Sequence, residues 1–176
     1  MQIIGIDPGS EMSAYCVIKA QGKNIEIVDK GKISNNEMLV FCTETSPWVK
    51  FHHQDHKIGI EMIASYGMAV GKDVFETCVW IGRFIERLGT EPERIYRREE
   101  KMTLCGSMKA KDSNIMQALI DMFPKTGGGK IPQKGTKAKP GPLYGMANDM
   151  WAALAVCVTL MEKERQKRFN GKELGK

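Results

Sequence analysis

The sequence predicts an α/β fold, a five-stranded sheet flanked by helices, and three observations carry that reading. The chain opens on "QIIGID", a nearly unbroken apolar run that reads as a strand buried on both faces. Two further strand-like runs follow it across hairpin chemistry. Beyond them, strand-like runs alternate with segments whose apolar residues recur at helical spacing. The element order is β-β-β-α-β-α-β-α-α.

Each element has its own justification. "MSAYCVIKA" and "NIEIVDKGKI" are strands separated by the turn "QGKN", so the first three strands form an antiparallel meander. Asn35 and Asn36 are cap residues for a helix that runs through "EMLVFCTET" and ends by Pro47. "KIGIEMIASY" resembles the first strand: Ile58 and Ile60 lead to a single acid, Glu61, and then to a small-residue loop. Between Lys72 and Leu88, residues Val74, Phe75, Cys78, Ile81, Phe84, Ile85 and Leu88 mark one face of a long amphipathic helix, which Gly89 stops. "ERIYRRE" reads as a short exposed strand, and "KDSNIMQALIDMF" as a helix begun near Asp112 or Ser113 and closed by Pro124.

Residues 124–145 are rich in Gly, Pro and Lys without periodicity. They predict a flexible basic loop, long enough to serve as an arm reaching DNA. The last helix runs through "MANDMWAALAVCVTLMEKERQKR", where Ala152, Ala153 and Ala155 allow close packing on a sheet. Met150, Trp151 and Leu154, at helical spacing, are assigned to the core. One domain is therefore expected over residues 1–162, with a basic tail at 163–176.

The chain of 176 residues has a formal charge of +5, unevenly spread. Five lysines and no acid lie between Lys125 and Lys139, and Lys163, Arg165, Lys167, Arg168, Lys172 and Lys176 follow Met161. A basic loop and a basic tail favour a polyanionic partner, because neutralising phosphates releases condensed counterions. Cys16, Cys42, Cys78, Cys105 and Cys157 are scattered singly, which fits buried thiols in a reducing compartment. No apolar run approaches the ~18 residues of a membrane span and no leader opens the chain, so a cytoplasmic protein without membrane contact is expected. His52, His53 and His56 cluster in "HHQDH", but without a second ligand group this reads as a solvated loop rather than a zinc site.

Asp7, Glu61 and Asp149 stand at two strand ends and a helix start. Taken singly they are a turn former, a strand-end surface glutamate and a helix-start acid. Together they make a cup of oxygen ligands suited to Mg²⁺ or Mn²⁺. Two such ions about 4 Å apart activate a water and stabilise the leaving oxygen of a phosphodiester.

"IIGIDPGS", "IGIEMIASY", "KMTLCGSMKAKDSNIMQAL" and "NDMWAALAVCVTL", spread from Gln2 to about Leu160, resemble the four successive blocks of the RuvC-type Holliday-junction resolvases, in particular their bacteriophage relatives. The resemblance implies an RNase H-like fold with a mixed five-stranded sheet, in a bacterium or a phage-infected host. It implies that Asp7, Glu61 and Asp149 are the catalytic metal ligands for two Mg²⁺ or Mn²⁺ ions. Lys101 and Lys111 match two lysines that contact the scissile region and the backbone, and Lys111 is counted with the catalytic residues. Tyr66 matches an aromatic that stacks on an unpaired base. Lys109, Lys130, Lys134 and Lys137 complete the DNA-binding candidates.

One position departs from the family pattern. A further acid is expected one turn into the last helix, where this chain has Ala152, and Asn148 is the candidate accessory ligand. The resemblance also implies a homodimer through helix 72–88, whose two-fold axis suits a four-way junction. The implied activity is metal-dependent symmetric nicking of branched DNA, with Holliday junctions the first substrate. The alternatives are a broader branched or flap nuclease of the same fold, a catalytically weak DNA-binding protein, and an actin-like nucleotide binder suggested by "GIDPGS" alone.

Overall fold

β1 (Gln2–Asp7) is the central strand of a five-stranded sheet, and Ile3 to Ile6 along it are buried. A computed structural model describes residues 1–22, 24–43, 56–65, 67 and 69–173. β2 (Met12–Gln21) pairs antiparallel with β1, and β3 (Asn24–Ser34) antiparallel with β2. On the other side, β4 (His56–Met62) runs parallel to β1 and β5 (Glu93–Tyr96) parallel to β4. The order is β3-β2-β1-β4-β5, the mixed five-stranded sheet that the sequence predicted.

Helices cover both faces. α1 (Asn35–Phe41) and α2 (Lys72–Leu88) share a core with Ile4, Ile6, Val17 and Ile60. The opposite face, with Ile3, Ala14 and Ile95, packs against α4 (Asp112–Asp121) and α5 (Met150–Glu173), with Leu104 and Cys105 of α3 (Arg97–Cys105) at its margin. The split follows the alternation of side chains along a strand.

Several boundaries differ from the sequence reading. Ser34 caps α1 in a capping box with Glu37, one residue before the predicted caps, and the described helix stops at Phe41. Asn35 is instead buried. Its amide donates to the Gly9 carbonyl (2.9 Å) and its side-chain oxygen accepts from the Ser13 hydroxyl (2.6 Å), so α1 is bolted to the turn that follows Asp7. The strand predicted over "ERIYRRE" ends at Tyr96, and α3 takes over at Arg97. That helix was concealed because its charged first turn has no apolar period to reveal it. In α2 the buried side is Thr77, Ile81, Phe84 and Leu88, while Phe75 and Cys78 point outward. Trp151 is only partly buried rather than a core residue.

The segments expected to trail away are folded. Within residues 124–145, Gly127 N donates to Pro132 O, Gly128 N to Lys139 O and Leu143 N to Gln133 O, and Leu143 is fully buried in the core. α5 continues to Glu173, and Lys163 bridges Glu93 (2.7 Å) and Glu99 (2.8 Å). The basic tail is thus in large part a helix, in which Lys163, Arg165 and Lys167 are paired with glutamates. No helix among the described residues is long and apolar enough to cross a membrane.

Two glycines set how closely α5 lies on the sheet. A Cβ on Gly5 would meet the Ala153 carbonyl oxygen at 2.3 Å and Cys157 Sγ at 2.7 Å; one on Gly59 would meet Val156 Cγ1 at 2.8 Å. Backbone cannot yield as a side chain can. Gly5→Ala is therefore expected to cost about 2–3 kcal/mol and Gly59→Ala about half of that, read from urea unfolding midpoints. Equal costs would show that α5 shifts freely.

Candidate active site

The register Ile6↔Ile60 between parallel strands sets Asp7 and Glu61 side by side at the carboxyl ends of β1 and β4. Both belong to the face that α5 covers. The turn after Asp7 is fixed from two sides, by Asn35 on the Gly9 carbonyl and by Gly9 N donating to Ser13 Oγ (3.2 Å). A cleft of about 270 Å³ opens over the two acids, lined by Pro8, Met62, Ile63, Ala64 and Arg97.

The two carboxyls share a hydrogen bond. Burial, and next the charge of Glu61, push Asp7 up to about 9. Glu61 is also raised by burial, but Arg97 opposes the shift. The hydrogen bond between them raises Asp7 and lowers Glu61, so a proton shared by the pair rests on Asp7.

Arg97, the first residue of α3, was not picked out from the sequence. Its Nη1 donates to Glu100 Oε2 (2.6 Å) and its Nη2 to Asp112 Oδ1 (2.6 Å). Glu100 is fully buried and pushed up to about 8, chiefly by that burial and then by Glu61, against the pull of Arg97. Recognising helix α3 would have exposed Arg97 and Glu100 as an i,i+3 pair.

Asp149 stands immediately before α5 and its charge reaches Asp7. Its carboxylate is held by Lys32 of β3 at 2.6 Å. Lys32 was missed because only the register Asp7↔Ala14↔Lys32 across three strands reveals it. Asn148 has a left-handed backbone, φ 45°, and with Asp149, Trp151 and Ala152 it lines a second cleft of about 460 Å³ that shares Arg97 with the first. Among the described residues, no three His, Cys, Asp or Glu side chains form a ready-made metal cage; the structure unites Asp7 with Glu61 and keeps Asp149 on Lys32.

The predicted DNA contacts are distributed. Lys111 is exposed just before α4, its backbone N–H donating to Asn114 Oδ1 (2.8 Å). Lys101 is half-buried on α3 and Lys109 exposed. Lys130 and Lys137 are exposed in the 124–145 segment, whereas the Lys134 ammonium lies 4.8 Å from the Trp151 ring centroid, at the second cleft. Tyr66, with His52 and His53, lies outside the described residues; His56 opens β4.

Residues 3–65 match the family model of the crossover junction endodeoxyribonuclease RuvC. The whole fold is similar to the Thermus thermophilus RuvC structure, with a TM-score of 0.65 at 15% identity over 95% of this chain and 97% of that one. At this identity the likeness is one of fold. T. thermophilus RuvC in complex with a Holliday junction substrate matches equally, with a TM-score of 0.65 at 14% identity over 95% and 96% of the two chains. The fowlpox virus resolvase bound to Holliday junction DNA is a looser likeness, 0.45 at 16% identity over 93% and 98%. No curated protein sequence matches the chain. The RuvC-matched segment contains both Asp7 and Glu61 and ends before Arg97, Asp112 and Asp149.

An ordinary carboxyl like Asp7's, 3.8 in the absence of the fold and raised to about 9 within it, makes the folded chain bind more protons than the unfolded one. Stability is then fully present below pH ~4 and is lost as pH rises toward 9. In EDTA, Asp7→Asn should flatten that loss, leaving the smaller slope due to Glu100, and raise the melting temperature at pH 8 by roughly 3–6 °C. An unchanged pH profile in differential scanning fluorimetry would refute the protonated pair.

Proposed function

We propose that this RuvC-type chain is a divalent-metal-dependent endonuclease that resolves four-way DNA junctions by paired phosphodiester hydrolysis. The observation that carries this reading is the buried Asp7–Glu61 pair, set at adjacent parallel strand ends within a RuvC-type fold. Two buried acids that must share a proton are a poor arrangement in isolation and a good one for a hard cation, which takes oxygen donors and removes the need for the proton. Asp7 and Glu61 would hold Mg²⁺ or Mn²⁺, with Asp149 the third candidate ligand once freed from Lys32. A bound cation supplies an activated water and charge for the leaving oxygen.

The protein's own groups do the rest. Pro8, Met62 and Ile63 wall the cleft and limit bulk water around the acids. The Arg97 guanidinium favours the ionised form of Glu61 against its burial. Lys111, exposed at the start of α4, is placed to meet a backbone phosphate, since an ammonium and free helix N–H groups attract the same anion.

Cleavage of a labelled four-way junction, a linear duplex and a flap, each in Mg²⁺ and in EDTA, tests the reading. Paired nicks in the junction, lost in EDTA and reduced at least ~100-fold in Asp7→Asn and Glu61→Gln, equivalent to ~2.7 kcal/mol of barrier, are expected. Equal cutting of the flap would instead indicate the broader nuclease, and junction binding without nicks an idle binder.

Paired nicks need two sites related by symmetry, and α2 supports a homodimer. Phe75 and Val79, one turn apart, are 61% and 59% exposed, and Gly82 beyond them faces open space. Trp80 of the same helix is half-buried and packs on Phe84 at 5.8 Å. In sedimentation at micromolar concentration the wild type should run as a dimer and Val79→Glu as a monomer; a monomeric wild type, with and without junction DNA, would exclude this interface.

A further inference from the structure

Arg97 forms the wall between the two clefts, one over Asp7 and Glu61 and the other beside Asp149 and Ala152. Its two carboxylate partners are unlike. Glu100 is fully buried, and its second oxygen, Oε1, has no hydrogen-bond partner among the described residues. Arg97 Nη1 is what satisfies this side chain, so that contact is fixed: removing the arginine would leave a fully buried carboxyl without its partner. Asp112, in contrast, presents an 82% exposed side chain to the Nη2 of a guanidinium that is itself 30% exposed. An exposed carboxylate leaves such a partner for water at little cost.

A guanidinium fork receives a carboxylate or a phosphate in the same geometry. The outward edge of Arg97 therefore carries a weakly held anion at the mouth of the site where DNA backbone would enter, with the exposed Lys111 next to it in sequence. We propose that Arg97 is a backbone-phosphate contact of the DNA-bound state, that Asp112 occupies the phosphate position in its absence, and that Glu100 is the positioning residue that fixes the guanidinium. The inference rests on the DNA-nuclease reading and names a contact within it. It predicts an unusual sign: removing a carboxylate from a ligand cluster improves binding, and only while the arginine is present.

The test is a double-mutant cycle in fluorescence anisotropy, in EDTA, with a labelled four-way junction and a linear duplex of equal length. Asp112→Asn should tighten DNA binding by ~3–10-fold, Arg97→Gln should weaken it, and adding Asp112→Asn to Arg97→Gln should bring no gain. Glu100→Gln, which keeps an acceptor for Nη1, should bind within ~2-fold of the wild type while Glu100→Ala loses as much as Arg97→Gln, with circular dichroism checking the fold of each. A gain that persists without Arg97 would mark a general charge effect and overturn the proposal, as would unchanged or weaker binding by Asp112→Asn. A wild type that binds junction and duplex alike would overturn the junction reading while the Arg97–Asp112 coupling is still read on the duplex. Absence of any DNA binding would overturn both.

Discussion

Everything in the site depends on an atom that Gly5 lacks. α5 crosses β1 so closely that its Ala153 carbonyl occupies the space of a Gly5 side chain, and Gly59 admits Val156 and Leu160 on the neighbouring strand in the same way. The Cys157 thiol, fully buried, donates to the Cys16 carbonyl at 3.2 Å across this interface. With α5 pressed to the sheet, its first turn and the preceding Asn148 and Asp149 arrive at the strand ends that carry Asp7 and Glu61. A helix held even one side-chain diameter farther away would leave the acid pair under solvent, where the burial that raises both carboxyls would be lost.

The fold was largely legible in the sequence because its strands announce themselves. An unbroken apolar run can lie only at the centre of a sheet covered on both faces, and β1 does. β4 repeats the signal of apolar positions running to one acid, so the pair Asp7 and Glu61 followed from pattern before any register was known. What stayed hidden was whatever depended on long-range register or on short helices. α3 begins with five charged residues and no apolar period, and reading its first turn as strand placed Arg97 and Glu100 on no particular face. Lys32 sits among alternating residues of an edge strand, where nothing local distinguishes it from a solvated lysine. The Gly- and Pro-rich stretch 124–145 misled in the other direction: such composition is common in disordered chain, yet here the glycines accept φ values such as 73° at Gly135 and let the backbone close its hydrogen bonds on itself.

The charge arrangement explains why the cup is stable without being neutral. Arg97 faces Glu61, Glu100 and Asp112, and Lys32 faces Asp149, so each acid except Asp7 has a cationic neighbour. Asp7 is left to take the proton. Among the acids of the cup, it is thus the one whose ionisation most requires an added positive charge, and the one at the centre of the strand pair. Burial is the largest cause of the upward shift at both Asp7 and Glu100, and of the two only Glu100 has an arginine drawing it back down.

Ala152 takes a different meaning in this setting. The family resemblance leads one to expect a carboxylate there, and its replacement by a methyl group first reads as a loss. In the structure Ala152 lines the second cleft together with Arg97 and Asp112. A carboxylate at that place would face a guanidinium that already serves Glu100 and Asp112, and would add a further negative charge close to Asp149. Arg97 and an acid at position 152 are thus competing solutions to the same wall of the site. An acid would add negative charge from the last helix; Arg97 with a small residue opposite leaves room and positive charge in the second cleft. With the arginine installed and anchored by a buried glutamate, alanine is the residue that keeps the second cleft open.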